Sequence, residues 1–207
     1  MDSLAALVAA ELAEPVDPRV ATLAATIATR HGPASRAVLF YGSCLRERNL
    51  DGLMLDFYLI VSDYRAAYAK RWLATANRLV PPNVFPFEAG GLAAKYAVLS
   101  EADFARLAPS ATRVVSVWAR FAQPVRLVWS ADDATREVAL AALCDAPVTL
   151  LRHAAPVTDP APGDLLAAWR TGFTRTYGAE LRAERGDRPD KVVDFAPDHY
   201  ARVGAAI

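Results

Sequence analysis

The sequence predicts an α/β protein in which a small, mixed β-sheet occupies the first half of the chain and a mainly helical segment follows. Apolar residues recur at helical spacing over the first thirty positions, then short strand-like runs follow, and helical spacing returns after Ser100. No flexible linker separates the two halves. We therefore expect two domains, residues 1–105 and residues 106–207.

The composition excludes several broad classes of protein. The 207 residues contain 23 Lys plus Arg and 23 Asp plus Glu, so binding of nucleic acid through bulk charge is not expected. The longest apolar runs are shorter than the roughly 20 residues of a bilayer span, and the N-terminus lacks the basic region of a signal peptide. Cys44 and Cys144 form no metal-binding pattern. We expect a cytoplasmic protein without a transmembrane helix or a zinc site.

The first elements are assigned from changes in periodicity. Residues 4 to 30 indicate two short helices joined by a turn at Glu14-Pro15 and Asp17-Pro18. Residues 36–41 predict a strand, and Gly42-Ser43 predicts a tight turn that opens a short helix. The next strand spans residues 53–61, where alternation places Asp56 on the same face as Met54, Tyr58 and Ile60.

The remaining elements follow from turn signals. Residues 63–80 have helical spacing that Pro81-Pro82 ends. Residues 84–88 and 92–99 flank Ala89-Gly90-Gly91 and predict a hairpin. Beyond Ser100 the pattern is helical, apart from one strand predicted at residues 124–129 and a proline-rich loop at residues 157–163.

Two features of the first half point to chemistry. A glycine-serine turn that follows a strand and opens a helix presents backbone N–H groups to an oxyanion, although a plain turn is the favoured explanation of the pair taken by itself. Asp56 is a carboxylate amid apolar residues of the next strand, where desolvation is costly unless a cation or several donors compensate it. Backbone amides are the alternative partners. A phosphate cradle beside a strand carboxylate is the arrangement that Mg²⁺-dependent nucleotidyl transfer uses.

Six short motifs occur in an informative order along the chain. They are Tyr41-Gly42-Ser43, Met54-Leu55-Asp56-Phe57, Lys95-Tyr96-Ala97-Val98-Leu99-Ser100, Arg120-Phe121-Ala122-Gln123-Pro124-Val125, Tyr177-Gly178-Ala179-Glu180-Leu181-Arg182 and Lys191-Val192-Val193-Asp194. In these motifs the chain resembles the mitochondrial-type phosphatidate cytidylyltransferases, the translocator assembly and maintenance family, as a shorter, bacterial-type member. The resemblance extends from about residue 37 to residue 203.

The resemblance implies a polymerase-β-like nucleotidyltransferase domain, then a helical, winged-helix-like domain. It implies transfer of CMP from CTP to phosphatidate with Mg²⁺, release of pyrophosphate, and peripheral contact with the inner face of the membrane. The residues that it assigns to catalysis are Asp56, Lys95 and Arg182. Those that it assigns to the nucleotide are Tyr41, Gly42, Ser43, Lys95, Tyr96, Arg120 and Lys191, and those that it assigns to the metal are Asp56 and Glu180.

The chain also departs from the family pattern. Cys44 replaces a cradle glycine, Gln123 replaces a lysine, and Ala67-Tyr68 replaces a Trp-His pair. Only one carboxylate lies on the second strand, since Tyr58 occupies the position where this fold often has another. The candidates for a second metal ligand are Asp51, Glu88, Glu180 and Asp194. Another phosphorylated acceptor, a protein acceptor and a non-catalytic nucleotide-binding module remain alternatives.

Overall fold

The structure is a computed structural model that describes residues 3–47, 49–109, 115–159, 161, 164–179 and 188–207. At residues 178–179 and 188–191 it describes the backbone alone. The chain forms two compact units. The sheet unit comprises Ala9–Arg106 and Pro124–Leu140, and the helical unit comprises Met1–Val8, Leu107–Gln123 and Ala141–Ile207.

The strands and helices follow the order expected of an α/β chain. The strands are β1 (Ser35–Tyr41), β2 (Met54–Val61), β3 (Asn83–Ala89), β4 (Leu92–Ser100) and β5 (Val125–Ser130). The helices are α1 (Leu4–Leu12), α2 (Pro18–His31), α3 (Tyr64–Ala67), α4 (Arg71–Leu79), α5 (Glu101–Leu107), α6 (Val115–Phe121), α7 (Asp133–Ala154), α8 (Ala167–Ala179), α9 (Arg188–Phe195) and α10 (Pro197–Ala206).

The five strands form one mixed sheet in the order β3-β4-β2-β1-β5. The β2–β4 pair is parallel, and the other three pairs are antiparallel. The predicted α/β class with a small mixed sheet is therefore confirmed, and the sheet is consistent with the polymerase-β-like architecture that the resemblance implies.

The first face of the sheet, which carries Leu55, Phe57, Leu59 and Val61, packs against α2. Asp17 caps α2 by accepting a hydrogen bond from Arg19 N at 2.8 Å. The buried residues of α2 recur at helical spacing and are Val20, Leu23, Ala24, Ile27 and Ala28. The predicted alternation along β2 is confirmed, so Asp56 lies on the opposite face, which we call the second face.

One predicted helix differs from the structure, and one predicted strand is confirmed by it. The helix expected over residues 63–80 is divided into α3 and α4, because the backbone of Tyr68 is extended and that of Lys70 lies outside the helical region. The strand predicted at residues 124–129 is β5, which pairs with β1. As a result, residues 124–140 belong to the sheet unit, whereas the boundary expected at residue 105 assigned them to the second domain.

Among the residues that the structure describes, one helical stretch, Asp133–Val157, is long and apolar enough to cross a membrane by length and composition alone; it consists of α7 and the 3-10 turn that follows it. In the most apolar window of that helix, 44% of the residues are buried inside the protein. Because core helices of water-soluble proteins meet the same criterion, this is weak evidence for a membrane span.

Candidate active site

Gly42 joins β1 to the turn that precedes β2, and its position requires glycine for two reasons. Its backbone has φ 92° and ψ −166°, a combination that side chains strongly disfavour. A Cβ at this position would lie 3.3 Å from Asp56 Oδ2 and 3.6 Å from Asp56 Cβ. The turn backbone is thus packed directly against the strand carboxylate.

Asp56 and Lys95 form an ion pair across the parallel β2–β4 ladder. The register pairs the two residues, and Lys95 Nζ lies 3.2 Å from Asp56 Oδ1. The Asp56 side chain is 22% exposed and that of Lys95 is 44% exposed, so both can be reached from solvent. Together, Gly42, Asp56 and Lys95 make a cluster that we call the turn–carboxylate site.

The segment after Gly42 is a four-residue 3-10 helix, Ser43–Arg46, rather than an α-helix. A single 3-10 turn lacks the aligned peptide dipoles of a longer α-helix, so an anion bound here would depend on the individual backbone N–H groups of the turn. Ser43 itself is exposed, as a phosphate-binding role requires.

Cys44, which replaces a cradle glycine of the family, points inward. The thiol lies 3.4 Å from the carbonyl oxygen of Met54, and burial, followed by the Asp56 charge, raises its pKa. A buried, protonated thiol is a packing group here and a poor nucleophile.

The two tyrosines assigned to the nucleotide lie on opposite faces of the sheet. Tyr41 pairs with Asp56 in the register and packs against Tyr58 on the second face, with ring centroids 5.2 Å apart. Tyr96 belongs to the first face, where it is 2% exposed and its hydroxyl lies 3.1 Å from His31 Nε2. The expectation that Tyr96 contacts the nucleotide beside Lys95 is thus corrected, because neighbouring strand residues point to opposite faces.

Arg120, the remaining predicted site residue whose side chain the structure describes, belongs to the helical unit. Arg120 is a half-buried residue of α6 that lines a small pocket with Gln123 and Tyr177. Glu180 and Arg182 fall outside the described residues, and Lys191 lies in α9, where the backbone alone is described. Their roles therefore stay predictions.

The other candidate acids are placed as follows. Asp51 is paired with Arg19 at 2.8 Å and Asp194 with Arg170 at 2.9 Å, and Asp194 belongs to the helical unit. Glu88 is exposed on β3, on the same face as Asp56 but two strands away. None of these three acids joins the turn–carboxylate site.

The donor set fits Mg²⁺ only when the ion comes with a phosphate ligand. Among the described residues no group of three His, Cys, Asp or Glu side chains is placed to hold a metal ion. Asp56 supplies one carboxylate, and Mg²⁺ is commonly held by one or two carboxylates plus substrate phosphates. Asp56 is therefore better suited to bind a Mg²⁺ ion that arrives with the nucleotide phosphates than to hold the ion before the nucleotide binds.

A buried polar network supports β4 and was not identified from the sequence. His31 Nδ1 lies 3.0 Å from the Ala67 carbonyl oxygen, and the other ring nitrogen faces the Tyr96 hydroxyl. Nearby, Asn77 accepts a hydrogen bond from Tyr68 and donates one to the carbonyl oxygen of Val98 on β4. A single histidine or asparagine in a helical pattern has no local signal that identifies such a role.

The helical unit contains a cavity of about 350 Å³. Its lining is mainly apolar, with Arg175, His153 and Thr176 as the polar members; the apolar residues are Val115, Trp118, Leu150, Ala154 and Gly172. The Trp118 and His153 rings are stacked with centroids 5.8 Å apart. The volume is within the range of small-molecule sites.

Comparison with known proteins does not identify the family of this chain. No family model matches the sequence, and no curated protein matches it. Among solved structures, the chain is similar to a nucleotidyltransferase-like protein from Exiguobacterium sibiricum 255-15. The identity is 12%, the match covers 90% of this chain and 75% of that chain, and the TM-score is 0.38.

Proposed function

We propose that the protein is a Mg²⁺-dependent nucleotidyltransferase whose reaction is the transfer of CMP from CTP to phosphatidate. The observation that supports nucleotidyl transfer is the contact between the Gly42 turn and Asp56, together with the ion pair from Asp56 to Lys95. The choice of CTP and phosphatidate rests on the resemblance to the phosphatidate cytidylyltransferases.

The charges in the site suggest how a triphosphate is held. Asp56 and Lys95 neutralise each other, so the pair alone offers no net positive charge to a polyanion. In the nucleotide complex, Lys95 would turn to the phosphate oxygens, leaving Asp56 as a ligand for the Mg²⁺ that accompanies them. The bound ion would neutralise phosphate charge. Gly42 would allow the turn backbone to approach the phosphates, since no side chain stands between them.

The proposed reaction needs no covalent enzyme intermediate. An oxygen of the phosphatidate phosphate attacks the α-phosphorus of CTP and forms the new P–O bond, while the bond from the α-phosphorus to the bridging oxygen of the β-phosphate breaks. Pyrophosphate leaves with that electron pair. A phosphate monoester is anionic at neutral pH, so the attacking group does not require a general base.

The cavity of the helical unit is compatible with a lipid acceptor. Its apolar lining would take part of an acyl chain, and the exposed Arg175 guanidinium would contact an anionic group.

Incubation with α-labelled CTP, Mg²⁺ and phosphatidate tests the proposal. We expect label in the lipid fraction and one pyrophosphate released for each CMP transferred. Asp56→Asn and Lys95→Met should each lower kcat/KM by at least about a hundredfold, a typical loss when a charge that stabilises the transition state is removed. Asp51→Asn is the matched control, because Asp51 is an exposed acid that pairs with Arg19. No transfer to phosphatidate by wild type would contradict the lipid substrate, and other phosphorylated acceptors or proteins would then be screened.

A non-catalytic nucleotide-binding module is the second candidate. The single carboxylate of the turn–carboxylate site favours it, since Asp56 is the one acid placed there among the described residues. Under this alternative, wild type binds CTP without turnover, and Asp56→Asn binds it equally well in the presence of Mg²⁺.

A further inference from the structure

The outward face of α4 is apolar and cationic at the same time. Trp72, Leu79 and Val80 are 65%, 75% and 76% exposed. Arg71 and Arg78 are exposed beside them. Large apolar side chains of this kind are usually buried in a water-soluble domain, so a cluster of them on one short helix calls for an explanation.

Helical geometry puts these residues on one side of α4. Trp72 and Leu79 are seven positions apart, which is about two turns, and Arg71 and Arg78 have the same spacing. The opposite side of the helix is buried through Ala74 and Asn77. Asn77 also donates a hydrogen bond to the carbonyl oxygen of Val98 on β4, at 3.0 Å. The exposed face is therefore held on a fixed element of the sheet unit.

The segment that carries this face contains only basic charged residues. Residues 64–87 contain Arg65, Lys70, Arg71 and Arg78 and no acidic residue, so the segment carries a charge of +4 in a chain whose net charge is zero. The nearest acids in sequence are Asp63 and Glu88. Such a segment attracts an anionic surface over roughly the Debye length, about 8 Å at physiological ionic strength.

We infer that the face formed by residues 70–72 and 78–80, the α4 face, docks the protein onto a membrane surface that contains anionic lipids. Trp and Leu flanked by Lys and Arg suit the boundary between headgroups and acyl chains. A second copy of the chain would bring two segments of like charge together, and nucleic acid would leave the tryptophan and leucine without an apolar partner. The inference does not depend on the turn–carboxylate site or its proposed reaction.

The face is small, so its binding is reversible and sensitive to salt. Each Lys or Arg near an anionic bilayer contributes on the order of a fivefold gain in partitioning, and the apolar side chains add a contribution that salt does not screen. Both parts are needed for stable attachment.

Sedimentation of the full chain with lipid vesicles tests the inference. We expect the protein to pellet with phosphatidylcholine vesicles that contain phosphatidylserine, and much less with phosphatidylcholine alone. Arg71→Glu with Arg78→Glu should lower the partition coefficient by at least about tenfold on the mixed vesicles, from the fivefold contribution of each charge. Trp72→Ala with Leu79→Ala should also lower it, and should remove the blue shift of tryptophan fluorescence that vesicles produce.

Matched substitutions elsewhere provide the controls. Leu165→Ala removes another highly exposed leucine, and Arg136→Glu reverses another exposed arginine, so neither should change vesicle binding. Circular dichroism shows whether each variant is folded. Equal pelleting of wild type and both double variants would overturn the inference. So would a wild-type dimer that Trp72→Ala with Leu79→Ala converts to a monomer, because the face would then join two copies of the chain.

Discussion

Replacing Gly42 by alanine perturbs the turn–carboxylate site with the smallest possible change. The φ of 92° and ψ of −166° belong to a region that is essentially restricted to glycine, and a non-glycine residue there costs on the order of 1–3 kcal/mol. The new methyl group would also meet Asp56 Oδ2 at 3.3 Å, so the carboxylate must move by a few tenths of an ångström. We expect Gly42→Ala to destabilise the protein by about 2 kcal/mol and to displace Asp56.

Urea unfolding followed by circular dichroism measures the first effect. With an m-value of about 2 kcal/mol/M, a loss of about 2 kcal/mol lowers the midpoint by about 1 M. Gly52→Ala is the control, because Gly52 also has a positive φ, of 75°, and nothing lies within 4 Å of its added Cβ. Gly52→Ala should lose some stability through backbone strain and keep its affinity for CTP. Gly42→Ala should lose both stability and affinity for CTP. A Gly42→Ala protein with wild-type stability and CTP affinity would refute the reasoning.

Two further predictions concern the cores of the two units. Burial lowers the pKa of His31, so the folded protein resists protonation that the unfolded chain accepts near pH 6.5. The contribution of neutral His31 to the free energy of unfolding should be complete above about pH 6.5 and should decrease as the pH falls from that value to the folded-state pKa. Denaturant titrations over this pH range should show a smaller decrease for His31→Gln. In the helical unit, a Cβ on Gly172 would lie 2.4 Å from Leu150 Cδ2 and 3.2 Å from Ala154 Cβ. Gly172→Ala should therefore destabilise the protein by about 1–3 kcal/mol in thermal unfolding, and an unchanged Tm would contradict this close packing.

Much of the sheet unit follows from sequence patterns, because β-strands have a side-chain period of two and their turns require particular residues. The alternation along β2 places Asp56 opposite the core face, and the glycine pair at residues 90 and 91 predicts the β3–β4 hairpin. The partners of β5 and the division of residues 63–80 into two helices were not predictable, because both depend on tertiary contacts that no local pattern encodes.

The site was predicted less completely than the sheet. The pairing of β2 with β4 brings Lys95 within 3.2 Å of Asp56. The order of the motifs along the chain does not predict this ion pair, because it does not specify which strands are neighbours. Tyr96 was assigned with Lys95 because the two are adjacent in a motif, although adjacent strand residues face opposite ways. The exposure of Trp72 and Leu79 could not be predicted from the sequence either. The spacing of apolar residues predicts that a helix has an apolar face, but it does not predict whether other elements cover that face.

Calorimetric titration of CTP into the protein, with and without Mg²⁺, tests the turn–carboxylate site most directly. We predict that wild type binds CTP more tightly when Mg²⁺ is present, that Asp56→Asn loses this enhancement, and that Lys95→Met binds weakly under both conditions. Asp51→Asn should bind as wild type does. If wild type does not bind CTP, or if all three variants bind it with wild-type affinity and the same response to Mg²⁺, then Gly42, Asp56 and Lys95 do not form a nucleotide site.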